Sequence, residues 1–98
     1  MTYSLTDKLK FDEQPKIEIN GKVLTINNSA VNVLKLMDIV QTKGEIEGTK
    51  AVLDLLFSPK DRKVIEGLNL SMQDFTTFCT VCMELAVGND PDNTESER

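Results

Sequence analysis

The 98 residues contain no histidine and no tryptophan, and only one tyrosine, four phenylalanines and two cysteines. Lack of histidine removes the side chain most often used as general base, as partner of a nucleophilic serine or cysteine, and as zinc ligand. Paired carboxylates can still do acid–base work, but that normally takes a deep cleft, and so short a chain with five aromatics has little material for one. The composition argues against an enzyme and offers no cofactor site. No apolar run approaches the roughly 18 residues that span a bilayer. The opening MTYSLTDKLKFDEQ has no basic stretch followed by an apolar one, so no secretory signal is expected. These features suggest a cytoplasmic protein.

Positive charge is also scarce. Eleven Lys and Arg stand against 16 Asp and Glu, a net charge of -5. Residues 1–50 carry seven charges of each sign, and residues 51–98 carry four positive and nine negative, so no basic half is hidden in the average. The electrostatic term behind most non-specific nucleic-acid binding is therefore missing. Neither nucleic acid nor membrane is expected as a partner.

An apolar fraction of 40% and a charged fraction of 28% are ordinary for a globular chain, and the length fits one domain. The expected layout is an N-terminal arm over 1–15, a β-hairpin over 16–27, a helical part over 29–88 and a disordered acidic tail over 89–98. In the arm, Leu5, Leu9 and Phe11 are candidates to dock on the core, and Pro15 marks its end. KIEINGKVLTIN then carries Asn20-Gly21, the preferred pair for a two-residue type I′ turn. That turn sets Ile19 opposite Lys22, Ile17 opposite Leu24 and Pro15 opposite Ile26. Ile17, Ile19, Leu24 and Ile26 share one face of the hairpin, which must rest on helices because an isolated hairpin is barely stable.

Asn28 or Ser29 can cap a helix from Ala30 to Lys43, closed by Gly44. Its expected core face is Ala30, Val33, Leu34, Leu36, Met37 and Val40, an arc of about 160° that leaves out Val31 and Ile39. GEIEGTK, with two glycines, reads as a break before a short apolar helix, Ala51 to Phe57. Ser58-Pro59, with Asp61 three positions after the serine, starts another that stops near Gly67. Ser71, with Asp74 at N3 and Leu70 stapling to Phe75, starts the last, from Met72 to Val87, which Gly88 ends. The fold class is α+β, helix-dominated: a β-hairpin against a small bundle of three to four helices.

Two features of the last helix invite function. Cys79-Thr-Val-Cys82 has metal or redox spacing, but no third Cys or any His completes a zinc site. The pair lies two turns inside the helix on its apolar stripe, so buried packing is the reading. The apolar arc from Met72 to Val87 covers about 200°, more than one buried side needs. Either the helix is central to the fold, or one side faces a partner. In the second case Met72, Phe78, Met83 and Val87 are the candidate partner-binding residues, with methionine suited to surfaces that re-pack. Gly44, Gly48 and Thr49-Lys50 lack phosphate-loop spacing, and Asp90-x-Asp92 lacks the glycine and closing glutamate of a calcium loop.

The order of these pieces resembles the tail assembly chaperones of long-tailed (siphovirus-type) phages and prophages of Gram-positive bacteria. The similarity covers about residues 16–90. It rests most on Val64 to Gly88, where "LNLS…DF" (Leu68, Leu70, Ser71, Asp74, Phe75) leads into a helix closing on "MELAVG". The resemblance implies a chaperone that binds the very long helical tape measure protein and keeps it soluble until tail tube subunits polymerise around it. It further implies self-association, no catalytic residues, work in the host cytoplasm and absence from the mature virion; many such phages make a second, longer form by a frameshift, and the short acidic tail after Gly88 fits the shorter product. From another class, the acidic second half is compatible with a small acidic adaptor or inhibitor of a basic protein partner.

Overall fold

The computed structural model describes residues 1–9 and 14–89. Two antiparallel strands, β1 (Lys16–Ile19) and β2 (Lys22–Thr25), are followed by α1 (Ala30–Leu56), α2 (Pro59–Gly67) and α3 (Met72–Ala86), a helix-dominated α+β fold.

The hairpin has the expected register, with Ile19 opposite Lys22 and Ile17 opposite Leu24. Asn20 and Gly21 take φ of 51° and 80°, as a type I′ turn requires. The Ile26 N–H donates to the Pro15 carbonyl at 2.9 Å, which extends the pairing one step beyond the strands. Leu24 and Ile26 are fully buried, and Ile17 and Ile19 are half-buried against the same core.

α1, α2 and α3 each begin at a serine whose hydroxyl accepts a backbone N–H three residues on. Ser29 accepts from Asn32 at 3.3 Å, Ser58 from Asp61 at 3.2 Å and Ser71 from Asp74 at 3.1 Å. The donors at a helix start have no partner within the helix, and these caps supply one. α3 ends as Gly88 implies: Gly88 at φ 93° donates to Leu85 and Asn89 donates to Glu84 at 2.8 Å, a Schellman closure.

The break expected over 44–50 shrinks to one residue. Gly44 alone is non-helical, at φ 90° and ψ −175°, and helix resumes at Glu45. The bend reverses the chain. In a straight helix residues 32 and 55 would lie about 34 Å apart, yet the Asn32 amide donates to the Leu55 carbonyl at 2.9 Å. α1 is thus a helical hairpin with arms 30–43 and 45–56. Gly48 is no breaker: a Cβ there would sit 2.7 Å from Val40 Cγ2, so its hydrogen lets the arms close.

The core gathers Leu24 and Ile26 from the hairpin, Val33, Leu36, Val52 and Leu56 from α1, Phe57, Ile65 from α2, and Phe78, Cys82 and Ala86 from α3. Phe78 stacks on Phe57 at 5.8 Å between ring centroids and on Phe75 at 6.3 Å. The core face of the first arm is rotated from its expected position. Val33, Leu36, Ile39 and Val40 pack inward, while Ala30, Leu34 and Met37 join Val31 in being exposed. Once the arms fold against each other at Gly44, the side that meets the second arm is the buried one, and Ile39 lies on it. The arm's expected docking does not occur for Leu5 and Leu9, which are exposed beside a 3₁₀ turn at Thr6–Lys8. Phe11 and the acidic tail from residue 90 on lie outside the described residues.

Candidate functional site

Between α1, chiefly its second arm, and α3 runs an apolar groove of about 530 Å³. Ligand clefts in proteins generally measure about 300–1,000 Å³. Val40, Ile46, Gly48 and Val52 form one wall and Met72, Thr76, Cys79 and Met83 the other, with Glu45 and Lys50 at the rim. The bend at Gly44 makes the first wall by starting a new helix in time to present Ile46. The Ser71 cap makes the second by starting α3 at Met72.

Ile46 and Met72 are 73% and 71% exposed, far more than large apolar side chains in a finished core. Thr76 and Thr80, on the α3 wall, add little polarity. Thr76 Oγ1 donates to the Met72 carbonyl at 2.9 Å and Thr80 Oγ1 to the Thr76 carbonyl at 3.0 Å. These hydroxyls are satisfied within their own helix, so the groove offers methyl and thioether surface with few free donors.

The four candidate contact residues separate. Met72 and Met83 line the groove together. Phe78 is buried in the core between Phe57 and Phe75 and is no surface contact, because its ring fills the space where α3 meets the end of α1. Val87 is exposed at the C-cap of α3, away from the groove lining. The apolar excess of α3 thus divides into core residues and one groove wall. Ile46, on the opposite wall, falls in the stretch 44–50, whose two glycines read as a break, whereas Val52 falls in the expected helix Ala51 to Phe57. Helical spacing of Ile46, Thr49 and Val52 across Gly48 was the signal for Ile46.

Cys79 and Cys82 are free and buried. Burial pushes the Cys79 thiol up to about 11. Burial, with the neighbouring Cys79, pushes Cys82 up to about 12. A raised thiol is neither a good nucleophile nor a ready metal ligand. Among the described residues, no group of three or more His, Cys, Asp or Glu is placed to hold a metal, and no helix is long and apolar enough to cross a membrane.

A second, more polar cleft of about 430 Å³ lies where the hairpin, the end of α1 and the start of α2 meet. Its polar groups hold the fold together. Asp61 accepts the Thr25 N–H at 3.1 Å, and Asn32 binds the Leu55 carbonyl. Arg62 pairs with Asp54 at 3.4 Å across its edge.

Compared with known proteins, the chain matches no family model, no curated protein and no solved structure.

Proposed function

We propose that the protein is a non-enzymatic tail assembly chaperone of a phage or prophage, acting in the host cytoplasm and leaving before the virion is complete. Its client is the long helical tape measure protein. The observation that carries this reading is the groove walled by Ile46 and Val52 on one side and Met72 and Met83 on the other. A channel between two helices, lined with methyl and thioether groups, suits the apolar stripe of an amphipathic helix. Methionine adapts to many such stripes, as a client of varied sequence demands. Several copies along one client would each add a modest contact, and tethering makes their sum strong. Tail tube subunits would release the chaperone by competing for the same client surface.

The test is co-expression with a tape measure protein, with client solubility and co-purification as readouts. Met72→Lys/Met83→Lys is expected to abolish both while the chain stays folded, since Met72 is exposed and Met83 half-buried. Unchanged co-purification would overturn the reading. An acidic adaptor would show the opposite pattern, with binding to a basic partner indifferent to the two methionines and lost as salt rises.

A further inference from the structure

On the outer edge of β2 one main-chain donor, the Thr25 N–H, is taken by the helical layer, whereas among the described residues no such bond reaches the outer edge of β1. In an antiparallel pair closed by a two-residue turn, directly opposed residues alternate between pairs that exchange hydrogen bonds and pairs that do not. The Ile19–Lys22 closure puts Ile17–Leu24 and Pro15–Ile26 in the bonded set, and the Ile26 to Pro15 bond at 2.9 Å confirms that phase. The main-chain groups of Thr25 therefore point away from β1, and its N–H is taken by Asp61 of α2 at 3.1 Å. On the other side the N–H and carbonyl groups of Lys16 and Glu18 point outward by the same alternation. No strand pairs with that edge among the described residues. An open strand edge is a template for another strand.

We infer that the outer edge of β1 pairs with β1 of a second copy of this chain, antiparallel and about a two-fold axis through Ile17. Only registers that oppose outward-pointing residues can form the ladder, and this one sets Lys16 against Glu18 of the other copy, twice. Each such pair is of the bonded kind, so it exchanges two main-chain hydrogen bonds and also opposes a cation to an anion on the exposed face. Glu18 already accepts the Gly21 N–H at 2.6 Å through one carboxylate oxygen, which leaves the other for Lys16 across the axis. On the helix-facing side Ile17 meets its symmetry mate. Ile17 and Ile19 are half-buried, whereas Leu24 and Ile26 are fully buried, so the helical layer covers β2 and stops short of β1. That leaves room for a second copy on the same side of a four-stranded sheet. The edge shares no residue with the groove, so a client and a second copy can be held together.

The test is mass by light scattering over rising protein concentration, with circular dichroism to check folding. The wild-type mass should climb from 11.0 kDa toward twice that value. Lys16→Glu alone opposes two carboxylates, and Glu18→Lys alone opposes two ammonium groups, so each single variant should stay at the monomer mass. Mixed in equal amounts the two should dimerise, because every opposed pair is then attractive, and the variant carrying both changes should dimerise alone. Rescue on mixing cannot come from a damaged hairpin, so it separates lost pairing from lost folding. A wild type that remains monomeric, single variants that associate like wild type, or a mixture that stays monomeric would each overturn the inference. None of these results bears on the groove, whose methionines are untouched.

Discussion

The side-chain amide of Asn32 donates to the main-chain carbonyl of Leu55 at 2.9 Å, although 23 residues separate them. One residue lies in the first turn of α1 and the other in its last, so this bond ties the open end of the helical hairpin. The Leu55 carbonyl belongs to a helix end, where carbonyls have no partner within the helix. Beside it, the Asn27 N–H takes the Leu56 carbonyl at 2.8 Å, which fastens the exit of β2 to the same point. Asn32→Ala should therefore lower stability by about 1–2 kcal/mol, the cost of leaving a part-buried acceptor unmade. Urea unfolding would measure it, and Asn32→Asp should not rescue, since a carboxylate cannot donate to a carbonyl.

Gly48 and Gly67 make a paired test of what a missing Cβ is for. At Gly48 the added carbon meets Val40 Cγ2 at 2.7 Å and Val40 Cα at 3.5 Å, so Gly48→Ala should destabilise by about 1–3 kcal/mol. Adding Val40→Ala should return part of that loss. At Gly67 nothing lies within 4 Å, and Gly67→Ala should be neutral or stabilise by up to about 1 kcal/mol. Thermal melts of the three variants would rank them.

Removing the Phe78 ring takes away the middle member of the stack formed with Phe57 and Phe75. Phe78→Ala should cost about 3–5 kcal/mol, large enough to threaten folding. Phe78→Leu, which refills most of the space, should cost less and keep a cooperative transition.

Stability should fall in alkali for a specific reason. Burial holds the Cys79 thiol at about 11 and Cys82 at about 12, against an ordinary 9.0. Above pH 9 the unfolded chain releases these protons while the folded chain keeps them. The unfolded state then binds fewer protons, so stability declines as pH rises toward 11. Urea midpoints taken from neutral pH into this range should show the slope, and Cys79→Ala/Cys82→Ala should flatten it. In the native protein both thiols should react slowly with a disulfide reagent and become fast on unfolding.

Much of this fold was legible because its signals are local. The Asn20-Gly21 turn implied the hairpin register, since the φ values it needs are set within two residues. Ser29, Ser58 and Ser71 marked helix starts for the same reason, and Gly88 the last stop. What misled were features that depend on a distant partner. The apolar residues of 30–43 spread around more than half the helix, and no wheel can tell which part a second arm will cover. Leu34 and Met37 were therefore placed inward and Ile39 outward. Gly48 misled because a glycine that breaks a helix and one that lets two helices touch look alike in sequence. That ambiguity concealed Ile46, whereas Met72 and Met83 on the opposite wall were readable from the apolar width of α3.

Surface bends usually tolerate insertions, because a loop absorbs an extra residue without moving what it joins. The bend at Gly44 has no such slack. Helix runs up to it on one side and away from it on the other, so an added residue is absorbed by extending an arm. Extending an arm by one residue turns its faces by about 100°. The second arm would then carry Val52 and Leu56 off the core, and Ile46 off the groove, while the contact of Gly48 with Val40 fell out of step. For this stretch of surface the number of residues is constrained as tightly as their identity is elsewhere in the core.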